Sequence, residues 1–116
     1  MRYNIKLIYE VENHLDTTQA VLPSFATQNL REWLTNAAER GGLTIGIIKF
    51  VSVAPITTSI TQRIYTAYSV LFDVILNGVN DEIIQLSVLR AIPIKIGKED
   101  YELFGLINIE IEPTIA

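Results

Sequence analysis

The chain has 116 residues, a length that suits one domain with its own hydrophobic core. It contains no cysteine, so neither a disulfide nor a thiolate metal site can form, and the reducing cytoplasm is the expected compartment. Nine basic and thirteen acidic residues give a net charge of −4 without any Lys/Arg cluster, which argues against a nucleic-acid partner. We expect neither a membrane span, which needs about 20 mostly apolar residues, nor a signal peptide.

The apolar content is high for a chain of this length. Hydrophobic residues make up 49% of the sequence and charged residues only 19%, whereas about a quarter of an ordinary soluble domain is charged. A small domain has limited interior in which to bury apolar surface. We therefore expect another chain to cover part of this surface.

The first predicted element is a half-buried β-strand at residues 3–12, where apolar and polar side chains alternate. One face carries Tyr3, Ile5, Leu7, Tyr9 and Val11, and the other carries Asn4, Lys6, Ile8, Glu10 and Glu12. The next segment, residues 13–23, is predicted to be a loop.

Residues 24–40 predict the main helix. Apolar side chains recur at helical spacing on one side, and they are Ala26, Leu30, Trp33, Leu34, Ala37 and Ala38. Ser24 is the predicted N-cap, and Gly41 and Gly42 supply a left-handed stop. Trp33 is interpreted as a core residue, because large aromatic side chains dominate core burial.

Two long strands are predicted at residues 43–54 and 63–76, which are rich in β-branched and aromatic residues. Pro55 is expected to end the first, and residues 55–62 to form the tip of a hairpin. Strands usually have about 5–6 residues, so a hairpin of this length could project from its own sheet as an arm.

Residues 79–92 fit two structures. Asn80 or Asp81 could cap a short helix, which we favour, but the β-branched content also permits a strand. Residues 101–112 predict a final strand, with Gly105, Ile107, Ile109 and Ile111 on one face.

With the helix, the order is β-α-β-β-α-β, and the predicted fold class is α+β with an antiparallel, ferredoxin-like sheet. The first and last strands are then antiparallel neighbours, which places Lys6 near Glu110 or Glu112. With a strand at residues 82–96 instead, the chain becomes a five-stranded meander with one helix.

The predicted hairpin tip and the strand after it are the candidate protein-interaction site. The residues are Thr57, Thr58, Ser59, Thr61, Gln62, Arg63, Tyr65 and Tyr68. Binding surfaces use this mixture, since Tyr gives contact area at low entropic cost and Ser and Thr give adaptable hydrogen bonds.

An alternative site is the acidic segment around the single histidine. At strand spacing Glu10, Glu12, His14 and Asp16 point the same way and could hold a divalent ion, or His14 could act as a base. A solvated strand end explains the same pattern, and no metal motif supports the site. We therefore predict no metal and no cofactor.

Catalytic motifs are missing from the chain. There is no phosphate-binding glycine loop and no nucleophile elbow, and one histidine without cysteine nearly excludes the usual triads. The predicted function is a non-catalytic, homo-oligomeric protein-interaction module, in one form a small acidic inhibitor or structural component from a virus or mobile element. The alternative is a small enzyme or ligand-binding domain using Glu10, Glu12 and His14.

Overall fold

The computed structural model describes residues 2–12, 18–56, 65–78, 82–91 and 104–114. The elements are β1 (Arg2–Glu12), α1 (Thr18–Gly41), β2 (Thr44–Ile56), β3 (Tyr65–Asn77), α2 (Glu82–Ala91) and β4 (Phe104–Pro113). The four strands form one antiparallel sheet in the order β2-β3-β1-β4. This order defines the ferredoxin-like α+β fold. The prediction of a helix before the last strand is confirmed, and the meander is wrong.

The core lies between one face of the sheet and the two helices. Alternation places four side chains of β1 and four of β3 on this face, and both sets are buried. They are Tyr3, Ile5, Leu7 and Tyr9, and Val70, Phe72, Val74 and Leu76. Against them α1 buries Leu30, Trp33, Leu34 and Ala37, and α2 buries Leu89. The predicted apolar face of the first strand and the core position of Trp33 are confirmed.

Helix α1 begins earlier than the sequence predicted. The loop at residues 13–23 is wrong from Thr18 onward, and Ser24 is an exposed residue inside the helix rather than its N-cap. Pro23 lacks one backbone donor, but its fixed φ suits a helix. Burial of Leu22 and the edge-to-face packing of Phe25 on Tyr9 at 5.8 Å stabilise this additional turn.

The helix ends where it was predicted to end. Gly42 has a φ of 70°, and its N–H donates to the carbonyl oxygen of Ala38 at 3.1 Å. Glycine adopts this left-handed conformation without a steric penalty, which makes it the usual C-terminal stop.

Strand β2 continues through Pro55 to Ile56, which corrects the prediction that Pro55 would end it. Pro55 lies opposite Tyr68 in the ladder. Because β2 is an edge strand, the missing N–H of Pro55 costs no hydrogen bond to a further strand.

The described part of the hairpin is not an arm. Strand β1 pairs with β3 along its full length, from Arg2 opposite Ile75 to Glu12 opposite Tyr65. Strands β2 and β3 are therefore integral to the sheet as far as Ile56 and Tyr65, and residues 57–64 lie outside the described residues.

Strand β4 contains a bulge that shifts the predicted faces. Ile8 is opposite Asn108, but Tyr9 is opposite Leu106, so Ile107 has no residue opposite it. Leu106 is consequently buried and Ile107 exposed, which corrects the prediction that Ile107 shares a face with Ile109. Beyond the bulge the predicted alternation holds.

The predicted neighbour relation of the first and last strands is confirmed. Lys6 is opposite Glu110, and its Nζ lies 3.7 Å from Oε2 of that residue. Both side chains are about half exposed, so the pair contributes at most about 1 kcal/mol.

A buried hydrogen bond ties α2 to β1. The hydroxyl of Tyr3 donates to Oε1 of Gln85 at 2.6 Å, and both residues are fully buried. We expect Tyr3→Phe to lower the free energy of unfolding by about 1–2 kcal/mol in urea denaturation, because a buried acceptor loses this donor. In a Gln85→Leu background the same substitution should cost less. Equal costs in the two backgrounds would contradict this account.

Candidate interaction surface

The outstanding surface feature is the edge strand β2, whose sequence is TIGIIKFVSVAPI. Only Lys49 carries a charge in these thirteen residues. Three large apolar side chains remain accessible within five positions: Ile47 is 54% exposed, Phe50 39% and Val51 49%. Exposed apolar side chains grouped along one strand make that strand a candidate interaction surface.

The apolar side chains of β2 occupy both faces of the sheet. Phe50 lies opposite Phe72 on the helix-covered face and packs edge-to-face on it at 6.1 Å, whereas Ile47 lies opposite Ile75 on the other face. Strands that are apolar on both faces are normally interior strands. Strand β2 thus has the composition of an interior strand but a neighbour on one side only.

The other edge strand differs from β2. On its open face β4 presents Asn108, Glu110 and Glu112, all exposed. Charged side chains on an edge discourage pairing with further strands. Among its described residues β4 exposes one large apolar side chain, Ile107 at the bulge, which is 44% exposed, whereas β2 exposes three.

Two register shifts interrupt the pairing of β2 with β3, one at Gly46 and one at Val51. Each leaves an additional residue on β2, which increases the local twist of the strand. A Cβ on Gly46 would lie 3.0 Å from the carbonyl oxygen of Ile75, so the backbones approach closely there. At the second shift Val51 is left as an exposed apolar residue in the middle of the edge.

The face of the sheet opposite the helices carries charged side chains beside the apolar Ile8, Leu71 and Ile75 of the central strands. Arg2 makes a bidentate ion pair with Asp73, through Nε at 2.8 Å and Nη2 at 2.5 Å. The hydrogen bond from Arg2 lowers the pKa of Asp73, with a further contribution from Lys49. A depression of about 190 Å³ on this face is lined by Asn4, Lys6, Leu71, Glu110 and Glu112. The positive charge of Lys6 partly offsets the negative charges of Glu110 and Glu112.

Among the described side chains of the central strands, the aromatic rings lie on the helix-covered face. Tyr3, Tyr9 and Phe72 are buried there, and Tyr68 packs against the same core. Recognition of single-stranded RNA on a sheet uses exposed aromatic rings as stacking platforms. The described side chains of the open face offer none.

Most of the predicted interaction residues lie outside the described residues, namely Thr57, Thr58, Ser59, Thr61, Gln62 and Arg63. Tyr65 is the first residue of β3, opposite Glu12. Tyr68 lies opposite Tyr9 and Pro55 and is half-buried. The role of this segment in binding stays a prediction.

The alternative acidic site is only partly visible. Glu10 is half-buried, with Ala67 opposite it on one side and Gly105 on the other, and Glu12 closes β1. His14 and Asp16 lie outside the described residues. Within the described ranges, no three acidic, histidine or cysteine side chains are grouped to hold a metal ion.

The sequence analysis singled out residues of the hairpin between Thr57 and Tyr68 as candidates, and Ile47, Phe50 and Val51 of the same hairpin were not among them. The signal was present as a nearly uninterrupted apolar run in β2. Whether such a run has a neighbouring strand on each side depends on the strand order. In the order β2-β3-β1-β4 the neighbour of β2 is β3, so β2 is an edge strand.

No family model matches the chain, and no curated protein sequence matches it. Among solved structures, 30S ribosomal protein S6 from Thermotoga maritima is similar at 11% identity and a TM-score of 0.37, over 97% of this chain and 87% of that one. The full extracellular region of zebrafish Gpr126/Adgrg6 is similar at 17% identity and a TM-score of 0.37, over 95% of this chain and 13% of that one. This chain thus spans only a small part of the receptor region. At a TM-score of 0.37, neither similarity indicates a function for this chain.

Neither helix in the described part of the chain is long and apolar enough to cross a membrane.

Proposed function

We propose that this chain is a non-catalytic protein-interaction module that self-associates into a homo-oligomer along β2. The observation that carries the proposal is the exposure of Ile47, Phe50 and Val51 on an edge strand with the composition of an interior strand. Burial of apolar surface is favourable by about 25 cal/mol per Å², so a second protein surface on this strand lowers the free energy.

The charged groups of the open face support binding rather than catalysis. Arg2 is paired with Asp73, and Lys6 lies close to Glu110. These pairs are partly or wholly exposed, whereas catalytic groups usually lie in sites that shift their pKa values through burial. The enzyme alternative therefore rests on the segment around His14 alone.

Light scattering coupled to size-exclusion chromatography tests the proposal. We expect the chain to have at least twice its monomer mass of 13.0 kDa at micromolar concentration. Ile47→Lys and Val51→Lys should each shift the mass towards the monomer, because each adds an ammonium group to an apolar contact.

Ile83→Lys is the matched control. Ile83 is 76% exposed on α2, away from β2, so its replacement should leave the mass unchanged. Circular dichroism of each variant establishes that it is folded. A wild-type chain that remains monomeric at several hundred micromolar would refute self-association, and dissociation by Ile83→Lys alone would place the contact on α2.

A further inference from the structure

We infer that β2 pairs antiparallel with β2 of a second copy, with the two-fold axis close to Val51, so that two four-stranded sheets become one. The inference rests on the proposed self-association and adds the occupant and the register. A two-fold contact uses the same surface on both copies, so it closes as a dimer.

The direction of the backbone groups follows from Pro55. Side chains and backbone N–H groups both alternate along a strand, so residues on one face direct their N–H groups to the same edge. A proline in an edge strand is accommodated where its nitrogen faces away from the ladder. Phe50 and Val53 lie on the same face as Pro55, since all three are opposite core residues of β3. Their backbone groups therefore face the free edge, where Pro55 itself has no N–H to donate to the second copy.

The charge of Lys49 selects the register. An antiparallel two-fold pairing must place residues of one face opposite residues of the same face on the second copy. Pairings centred on Ile48, Lys49, Val53 or Ala54 meet a bulge of β2 within three residues of the centre, whereas pairings centred beside Val51 keep the faces matched on both sides of it, from Ile47 to at least Ala54. A centre on Lys49 would also set the two lysines opposite each other, which is unfavourable. A centre beside Val51 sets Lys49 opposite Ser52 or Ala54 instead, both small and neutral.

Strand β4 of another copy fits less well as the occupant. It would set the two carboxylates of Glu110 and Glu112 on the face where β2 carries Ile47 and a single cation, Lys49. Desolvating carboxylates against apolar side chains is unfavourable. A second β2 offers apolar side chains on both faces, which matches the exposed surface.

Cysteine cross-linking tests the register directly, because the chain has no cysteine of its own. Adjacent strands are about 4.8 Å apart, and disulfides need Cα atoms within about 7 Å. Val51→Cys should therefore form a disulfide-linked dimer on mild oxidation with diamide. In Lys49→Cys the two thiols should be about 10 Å or more apart and remain largely unlinked. Oxidation in about 8 M urea, where the chain is unfolded, gives the amount of disulfide-linked dimer that random collisions produce in each variant.

The mass of the wild-type chain, measured by light scattering, distinguishes a failure of the proposed register from a failure of the proposed self-association. A dimer mass with the Val51 cross-link in at least fivefold excess over the Lys49 cross-link supports the register. A dimer in which Lys49→Cys links best, or in which neither variant exceeds the urea level, overturns the register and leaves self-association standing. A monomer overturns both, and a mass that grows without limit indicates head-to-tail pairing of β2 with β4 and overturns the two-fold axis.

Discussion

Gly78→Ala is expected to lower the free energy of unfolding by about 3 kcal/mol. Gly78 has a φ of 100°, a conformation that costs an alanine about 1–2 kcal/mol. A Cβ at this position would also lie 2.6 Å from the carbonyl oxygen of Gly42 and 3.4 Å from Cα of Leu43. The backbone has to move to relieve such a contact, which adds a further cost of about 1–3 kcal/mol.

Gly42→Ala is the matched control, because it isolates the conformational cost. Its φ is 70°, but no heavy atom lies within 4 Å of the position that a Cβ would take. We expect a loss of about 1 kcal/mol for this variant in urea denaturation. If Gly42→Ala and Gly78→Ala cost the same, the close approach of the two turns does not contribute to stability.

The approach of Gly78 to Gly42 has a structural consequence. It brings the exit of α1 against the exit of β3, next to the point where Thr44 pairs with Asn77. One contact thus fixes the start of the edge strand relative to the connection into α2. Loss of this contact should loosen the end of β2 that is remote from the hairpin.

The regular elements of this fold were predictable from local pattern. The alternation in β1, the helical spacing from Ala26 to Ala37 and the glycine stop at Gly42 each identify one structure, and the six elements occur in the predicted order. Short-range periodicity decides these elements because each buries one face. The preference for a helix at Glu82–Ala91 was also right, although its β-branched residues permit a strand.

The errors arose where tertiary packing outweighs a local rule. Pro23 lies inside α1 because Leu22 is buried in the core, and Pro55 lies inside β2 because that strand is at the edge. The bulge at Ile107 moves Leu106 into the core without any signal in the sequence. Proline rules and alternation describe isolated elements, and neither includes the neighbour that a segment will have.

The candidate contact surface was predictable only in part. High apolar content indicated surface that another chain covers, but its location required the strand order. Ile47 and Ile48 adjoin in the sequence, yet Ile47 is more exposed because it points away from the helices. The proposal of an interaction role thus began in the composition of the sequence, whereas the proposal of a contact along β2 required the structure.

Raising the pH from about 10 to about 12 is expected to destabilise the wild-type chain by about 2 kcal/mol through Tyr9 alone. Burial raises the pKa of Tyr9 to about 12, and the hydrogen bond that Asn29 donates to its hydroxyl opposes part of this change. In the unfolded chain the pKa is about 10, so the folded state favours the neutral phenol. This stabilisation is complete below a pH of about 10 and is lost as the pH rises towards about 12, at about 1.4 kcal/mol for each pH unit.

Tyr9→Phe is the variant that isolates this effect. It loses the hydrogen bond from Asn29 at 2.9 Å, which lowers the free energy of unfolding by a nearly constant amount below a pH of about 10. All other residues are the same in the two proteins, so the difference between their urea-denaturation curves reports Tyr9. We expect the wild-type advantage to shrink between pH values of about 10 and about 12 and then to reverse, because only the wild type must hold a buried phenolate. A difference that stays constant over this range would show that the buried hydroxyl of Tyr9 ionises as it does in water.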